Sequence, residues 1–549
     1  MRIALAQLNY LIGDFEGNYK KIISGIAKAV HHGAELIVFS ELSVCGYPPL
    51  DLLEYRSFIG ECKKYAEKIA QHSRDITVLI GIPVLNPSKT GKDLFNAAMI
   101  LKDEKIEQVV YKTLLPTYDI FDEYRHFESN REFGTIKIGN IEIALTICED
   151  LWDDQPPVNS LGRNRLYNIS PLDEIYKKSN PDLIINMAAS PFSYLNAEIK
   201  KEIFIKKARK FKTPVIFVNQ VGANTELLFE GGSMVVDKNG EIRKRLQFFQ
   251  EDFAVIDTDE INQKKDTIHQ VSEIESIHEA LLMGIRDYFR KQGFKKAILG
   301  LSGGIDSAVS VVLATRALGN ENVRVLLLPS KYSSDHSVTD SERLCENIGI
   351  QYSIIPIQET VEKYENGLQP LFNNTTPGIA EENIQARTRM IYLMAVSNKF
   401  GEILLNTSNK SEAAVGYGTL YGDMAGGLSI LGDVYKTKVY ELAKYINREH
   451  EIIPVNIIEK PPSAELRPEQ KDSDSLPDYE MLDEILFRFI ENQQLVDDII
   501  RSGIDSELVE KVLKMVNTTE YKRYQTPPIL RVTSKAFGPG RRIPIVAKY

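Results

Sequence analysis

Cysteine is scarce in this chain of 549 residues. There are four, Cys45, Cys62, Cys148 and Cys345, and none is spaced as a metal-binding or disulfide pair. That scarcity excludes a disulfide-stapled scaffold and suits a reducing, cytoplasmic setting. Positive charge is short as well. Against 76 Asp and Glu there are 66 Lys and Arg, a net charge of −10, which argues against broad nucleic-acid binding. No apolar run approaches the ~18 residues of a membrane span, so no membrane partner is expected. The opening Met-Arg-Ile-Ala-Leu-Ala-Gln-Leu has a short apolar alternation and no signal-peptide build. What is present is ordinary for a soluble protein, 43% hydrophobic and 26% charged. The length is too great for one core and predicts two domains of roughly 250 residues each.

The most informative stretch is Leu299 to Ser307, Leu-Gly-Leu-Ser-Gly-Gly-Ile-Asp-Ser. The apolar run Ala297-Ile298-Leu299 reads as a buried strand. Ala308 to Leu318 reads as a helix, with Val309, Val312, Leu313 and Ala317 on one face. The small residues Ser302, Gly303 and Gly304 fall at the turn between them. Glycines let successive backbone N–H groups curl into a nest, and the helix N-terminus adds more N–H groups and partial positive charge. The turn therefore suits a polyphosphate. It lacks the lysine of the Lys-Ser/Thr nucleotide loop and the Gly-x-Gly-x-x-Gly spacing. An ordinary Gly-rich turn is the plainer alternative, which a lone Gly-Gly would favour. The full Ser-Gly-Gly-x-Asp-Ser match between a strand and a helix opposes it.

That match resembles the PP-loop ATP pyrophosphatases. The resemblance implies that Gly300, Leu301, Ser302, Gly303, Gly304, Ile305, Asp306 and Ser307 bind ATP. ATP would be split between its α- and β-phosphates, and a substrate oxygen adenylylated.

The first half alternates strands with helices, which argues for an α/β layered domain. Strands are predicted at Arg2–Asn9, Ala34–Phe39, Ile76–Ile82, Phe95–Leu101, Ile141–Ile147, Asp182–Met187 and Pro214–Asn219. Helices are predicted at Asn18–His32, Leu172–Ser179 and Ala197–Phe211. Asp237-Lys-Asn-Gly240 is a hairpin turn signal. Glu41, Lys112 and Cys148 each emerge from an apolar run, at strand ends where α/β sheets place sites. A cysteine nucleophile needs a base and a cation beside the developing oxyanion, and these residue types supply both. Singly, each has a bland reading: Cys148 as a buried small side chain, Glu41 as a cap, Lys112 as a solvated strand end.

Their order, with Glu-Leu-Ser-x-x-Gly-Tyr-Pro-Pro around the first and Cys-Glu-Asp-Leu-Trp around the last, resembles the nitrilase (carbon–nitrogen hydrolase) superfamily. The resemblance implies an αββα sandwich. Glu41 would be the general base, Lys112 the stabiliser of the tetrahedral intermediate, and Cys148 the nucleophile that forms a thioester with loss of ammonia. The glutamine pocket would map onto Tyr118, Ser190 and Asn196. Asn196 stands where the family commonly carries a basic residue, and Lys200 or Lys201 is the alternative cation.

The domains are predicted at 1–257 and 273–549, joined by a polar linker over 258–272. After the helix Ser276–Gln292 and the glycine-rich turn, the strand Val323–Pro329, the helix Asp335–Ile348 and the strand Tyr352–Pro356 argue for a doubly wound parallel sheet. Asn383 opens a long helix to about Phe400. Gly416–Gly432 and the stretch from Pro461 read as active-site loops rather than spacers.

Asn-Lys-Ser-Glu, Tyr-Gly-Asp-Met-Ala-Gly-Gly, Pro-Pro-Ser-Ala-Glu-Leu-Arg-Pro and Tyr-Lys-Arg-Tyr-Gln-Thr-Pro-Pro resemble the glutamine-dependent NAD synthetase family over nearly the whole chain. By that resemblance Thr407 contacts ATP, and Asn383, Glu412 and Lys522 contact deamido-NAD. Asp306 and Glu412 are the Mg²⁺ carboxylates; Mg²⁺ takes hard oxygen ligands. NAD is a product rather than a cofactor. Ammonia would pass through a buried tunnel, in a homo-oligomer whose glutaminase domains dock on neighbouring subunits. Asn406 precedes the threonine where Gly or Thr is usual, and changes no named role.

Three other readings stay open on the residues. A PP-loop enzyme acting on GMP or aspartate is opposed by Asn-Lys-Ser-Glu and Ala-Glu-Leu-Arg-Pro. One that modifies tRNA is opposed by the net charge of −10 and the lack of Cys-x-x-Cys. A non-catalytic scaffold or sensor is opposed by the intact Glu41, Lys112, Cys148 and Ser302–Ser307.

Overall fold

A computed structural model describes residues 1–155, 165–263, 271–373 and 375–547. The chain forms two compact units, Met1–Gln270 and Val271–Tyr549. Of the linker predicted over 258–272, residues 264–270 lie outside the described residues. Its start, Thr258–Glu260, is a short 3₁₀ turn.

The first unit is built on two six-stranded sheets. One runs, edge to edge, Asp252–Asp257, Arg2–Gln7, Leu36–Val38, Thr77–Leu85, Leu94–Lys102, Lys105–Tyr111. The other runs Ile242–Arg245, Met234–Val236, Val215–Asn219, Leu183–Ala188, Ile141–Ile147, Ile136–Ile138. Side-chain alternation decides what each face meets. Ile3, Leu5, Leu36 and Val38 pack against Ile143, Leu145, Ile184 and Ile216 of the opposite sheet. The intervening Ala4, Ala6, Ile37 and Phe39 pack outward on Ile22 and Ile26 of the helix Phe15–His31 and on Ile59, Ala66 and Ile69 of the helix Arg56–Ala70. Ile203, Phe204 and Ala208 of the helix Ala197–Phe211 join the core of the second sheet. The result is an αββα sandwich, as expected. Strands covered on both faces read as continuous apolar runs, which is why they were legible.

Several elements have no counterpart among the sequence expectations, and two of them are long elements of the first unit. The strand Lys105–Tyr111, Lys-Ile-Glu-Gln-Val-Val-Tyr, is an edge strand whose first four residues are exposed, so it carries no apolar run. It nonetheless delivers Lys112. The helix Arg56–Ala70 buries Phe58, Ile59, Cys62, Tyr65, Ala66, Ile69 and Ala70 at helical spacing.

The second unit carries a five-stranded sheet in the order Gln351–Ile354, Val323–Leu327, Ala297–Gly300, Ile403–Asn406, Leu428–Ser429, with every pair parallel. The chain starts in the middle, winds to one edge, then returns to the other side of its first strand. The strand order therefore reverses beside Ala297–Gly300, and loops leaving the carboxyl ends of 297–300 and 403–406 flank a crevice. The helix after the first strand is Ile305–Leu318, so the glycine turn is tighter than a helix starting at Ala308 would make it. The long helix spans Ile379–Phe400 and so places Asn383 inside it.

A buried cation ties this unit together. Lys410, within Asn-Lys-Ser-Glu, is wholly buried. Its Nζ donates to Thr533 Oγ1 at 2.7 Å and to the Lys535 carbonyl at 3.0 Å, and pairs with Asp433 at 2.8 Å and with Glu491. Asp433 also accepts the Val532 and Thr533 backbone N–H groups at 2.8 and 2.7 Å. Burial alone would pull the ammonium down, but Asp433 and Glu491 outweigh it and hold its pKa above the usual lysine value. Lys410→Met leaves two buried carboxylates without their cation. The expected loss of stability is about 3–5 kcal/mol, read by denaturant unfolding of the full chain. A loss under about 1 kcal/mol, the worth of an exposed pair, would contradict this account.

Candidate functional sites

In the first unit the structure brings Glu41, Lys112 and Cys148 together. Glu41 follows the strand Leu36–Val38, Lys112 follows Lys105–Tyr111, and Cys148 follows Ile141–Ile147. Lys112 Nζ donates to Glu41 Oε1 at 2.7 Å and to Glu123 Oε1 at 2.8 Å, with none of its side chain exposed. Glu41 Oε1 also accepts Asn96 Nδ2 at 2.7 Å, and Oε2 accepts the Ala189 N–H at 3.0 Å. Burial would lower the lysine, but Glu123 and Glu41 reverse that and keep it firmly charged. Glu123, pressed by burial and by Glu41 against the pull of Lys112, is pushed up to about 7.

Cys148 sits in the left-handed region at φ 43°, costly for a residue with a Cβ, where the strand breaks into a 3₁₀ turn Cys148–Leu151. Its carbonyl accepts Asn186 Nδ2 at 3.2 Å. Burial, reinforced by the charge of Glu41, pushes the thiol well above its ordinary value, and Lys112 opposes this. The resting group is a thiol, and reaction requires a base.

Of the residues expected to form a glutamine pocket, Tyr118 donates its hydroxyl to Glu149 Oε1 at 2.9 Å, and Tyr167 donates to the same oxygen at 2.8 Å. Burial pushes Glu149 up to about 7 against those two bonds. Ser190 is buried next to Ala189, its N–H on Asn219 Oδ1 at 2.9 Å. Asn196 is half-buried at the start of the helix Ala197–Phe211 and does not cap it through its side chain. Lys200 is buried against Glu230 at 2.8 Å and the Pro191 carbonyl at 2.7 Å, while Lys201 pairs with Glu198 at 2.7 Å.

In the second unit a cleft of about 300 Å³ opens at the reversal of strand order. Gly300, Leu301, Ser302, Gly304, Ile305, Asp306, Ser307, Thr407 and Glu412 line it. Gly303 stands behind them at φ +78°. A Cβ there would lie 2.6 Å from the Ser337 carbonyl oxygen, so only glycine fits. Ser302 Oγ lies 3.1 Å from Ser307 Oγ and accepts the Gly304 N–H at 3.2 Å, and Ser307 Oγ donates to the Gly304 carbonyl at 2.9 Å. Leu326, Leu328, Met390 and Leu393 give the cleft an apolar wall, and Arg389, Lys436 and Lys460 give it cations.

Asp306 and Glu412 meet at Lys436. Lys436 Nζ donates to Asp306 Oδ2 at 2.5 Å and lies 3.8 Å from Glu412 Oε1, and Asn409 Nδ2 donates to Asp306 Oδ1 at 2.9 Å. Asn409 Oδ1 accepts the Glu412 N–H at 3.0 Å, and Glu412 Oε2 accepts the Asn409 N–H at 3.3 Å, a reciprocal capping box for the helix Lys410–Val415. Desolvation and the charge of Asp306 push Glu412 up to about 8 against Lys436. Carboxylates in excess over their ammonium, with oxygen ligands only, suit a hard divalent cation.

Asn383 and Lys522 are not among the residues lining the cleft. Asn383 Oδ1 accepts Thr419 Oγ1 at 2.7 Å, and Lys522 Nζ donates to the Gly416 and Gly418 carbonyls at 2.7 and 2.8 Å. Both brace the start of the glycine-rich loop. Asn406 holds its far part, donating to the Asp423 carbonyl at 2.7 Å and the Ala425 carbonyl at 3.3 Å.

Glu123, Glu149 and Lys436 were missed in the sequence, although Glu123 ends Pro-Thr-Tyr-Asp-Ile-Phe-Asp-Glu and Glu149 follows the cysteine directly. Acidic residues in polar loops carry no periodicity to mark them, and Lys436 gains its partner only through the fold.

Comparison with known proteins agrees with both halves. Residues 2–265 match the carbon–nitrogen hydrolase family and residues 277–526 match NAD synthase. The glutamine-dependent NAD(+) synthetase of Synechocystis sp. is 43% identical over 555 residues, spanning 100% of this chain and 99% of that protein. The protein of the same description from Thermotoga maritima is 41% identical over 588 residues, with 100% and 99% covered. Among solved structures, the glutamine-dependent NAD+ synthetase from Acinetobacter baumannii in complex with adenosine diphosphate superposes with a TM-score of 0.78 at 36% identity, over 99% of this chain and 98% of that one. The doubly wound sheet, the αββα sandwich and full-length identity above a third all agree: the chain belongs to the glutamine-dependent NAD(+) synthetase family.

Proposed function

We propose that this enzyme converts deamido-NAD to NAD with ATP and glutamine, through Glu41, Lys112 and Cys148 in the first unit and the Ser302–Ser307 turn in the second. The observation that carries the reading is Lys112, wholly buried between Glu41 and Glu123 beside a left-handed Cys148. Glu41 takes the thiol proton as sulfur attacks the glutamine carboxamide carbon. The Lys112 ammonium faces the oxyanion, where a fixed charge in a dry site is worth most. The proton passes to the departing nitrogen, ammonia leaves, and a thioester remains. Water activated by Glu41 then releases glutamate. The free Oε2 side of Glu149 is the group for the α-ammonium of glutamine, with Tyr118, Ser190 and Asn196 completing the pocket.

In the second unit the nicotinate carboxylate attacks the α-phosphorus of ATP and pyrophosphate leaves. Ammonia attacks the acyl carbon of the adenylate and AMP departs, giving NAD. Gly300, Leu301, Ser302, Gly303, Gly304, Ile305, Asp306, Ser307 and Thr407 cradle the nucleotide. Asn383, Glu412 and Lys522 serve deamido-NAD, the first and last by bracing the loop beside it. Asp306 and Glu412 would hold Mg²⁺, which neutralises phosphate charge when bound. A buried path for neutral ammonia, a homo-oligomer with glutaminase and synthetase units of different subunits in contact, and a cytoplasmic location complete the reading.

Cys148→Ala should abolish NAD formation from glutamine and leave the ammonium-driven reaction within about twofold, since the thioester alone depends on sulfur. Wild type that makes no NAD from either nitrogen source would defeat the proposal. Glu412→Gln should lower the reaction at least about tenfold with both sources, the scale of a lost charge contact in the transition state; an effect confined to glutamine would place Glu412 elsewhere. Below about pH 7 Glu149 takes up a proton and loses its charge. The KM for glutamine should then rise as pH falls, and Glu149→Gln should flatten that dependence. A profile unchanged by the substitution would remove Glu149 from the pocket.

A further inference from the structure

Lys112 and Cys148 leave strands of different sheets, Lys105–Tyr111 at the edge of one and Ile141–Ile147 inside the other. Something must hold the two chain ends in register across the sandwich, because neither strand pairs with the other. One side chain does so. Asp150 is 3% exposed. Its Oδ1 accepts the backbone N–H of Thr113 at 3.0 Å and of Leu114 at 2.8 Å, and its Oδ2 accepts the N–H of Ile147 at 3.0 Å. Thr113 and Leu114 directly follow the lysine, and Ile147 directly precedes the cysteine. The bond to Ile147 also closes the tight turn that keeps Cys148 at a positive φ.

We infer that Asp150 is the positioning residue of the cysteine-dependent amide-hydrolysis site, a carboxylate clamp that sets the ammonium of Lys112 and the sulfur of Cys148 in register without touching substrate. The inference rests on the roles given above to those two residues. Every group that Asp150 binds is a donor, so its acceptor-only chemistry is specific to the carboxylate. Burial pushes its carboxyl up to about 6, and the N–H bonds oppose that, so it remains an anion near neutral pH. Such a clamp differs from ordinary core packing. The oxyanion's partner and the nucleophile must lie within a fraction of an ångström of their reacting geometry, whereas the side chains proposed for the glutamine pocket, Glu149, Tyr118, Ser190 and Asn196, are not among the groups that Asp150 hydrogen-bonds.

Asp150→Asn in the full chain turns an NH₂ donor against at least one of those N–H groups. Glutamine hydrolysis should lose about 10²-fold in kcat, the cost of misplacing a reacting group by about 1 Å. The KM for glutamine should stay within about twofold, because the substrate contacts survive. Alkylation of Cys148 by iodoacetamide should change in rate along with kcat. Asp150→Ser, smaller and without the amide donors, must show the same split and decides the matter if the first variant does not fold. NAD formation from ammonium reads the second unit separately. A wild-type kcat in either variant, or kcat and KM falling away together, would overturn the clamp. Wild type that hydrolyses no glutamine would instead defeat the underlying reading of Lys112 and Cys148.

Discussion

The structure depends on burying lysine ammonium groups without leaving them unpaired. A lone buried ammonium costs several kcal/mol even after relaxation. At three buried lysines this chain meets that cost by setting two carboxylates around the cation. Lys112 lies between Glu41 and Glu123, Lys410 between Asp433 and Glu491, and Lys436 between Asp306 and Glu412. The carboxylates come from distant parts of the sequence, so each cluster forms only when its unit is folded.

The three clusters differ in what the surplus negative charge can do. Around Lys410 further donors satisfy the acids, Thr533 Oγ1 and the Val532 and Thr533 N–H groups on Asp433 and Ser534 Oγ on Glu491, and the cluster is closed scaffold. Around Lys112 burial, reinforced by the charge of Glu41, leaves Glu123 pushed up to about 7. Around Lys436 burial, reinforced by the charge of Asp306, leaves Glu412 pushed up to about 8. Glu412 lines the cleft of the second unit. Perturbed ionisation with a stated partner, in a concave place, is the physical mark of a site rather than of a support.

Much of the architecture was legible because strands covered on both faces are long apolar runs, and because glycine at 303 has a steric reason the sequence expresses directly. Glu41 and Cys148 were legible for a related reason, since each ends such a run, whereas Lys112 follows an exposed edge strand and was marked only by the family resemblance. What escaped notice was polar and nonperiodic. The edge strand Lys105–Tyr111 shows water most of its side chains. Glu123 and Asp150 sit in short helical turns, Glu123–His126 and Cys148–Leu151, where an acid is unremarkable until the fold aims it at an ammonium or a row of N–H groups. Lys410 went unnoticed for another reason. Inside a substrate-like motif it nonetheless points into the protein, away from the cleft, and its motif serves the site through the neighbours Asn409 and Glu412.

The raised thiol of Cys148 bears on how the protein survives oxidants. Peroxides attack the thiolate rather than the thiol, and damage follows exposure and thiolate fraction. A cysteine 7% exposed, its thiol kept protonated by burial and by a neighbouring carboxylate, offers peroxide little of either. Many cysteine nucleophiles are kept ionised at rest and are inactivated by sulfenic and sulfinic acids. In the proposed mechanism the proton leaves only when a base and an electrophile are both in place, so the same burial that makes the group slow to ionise would keep it reduced between turnovers.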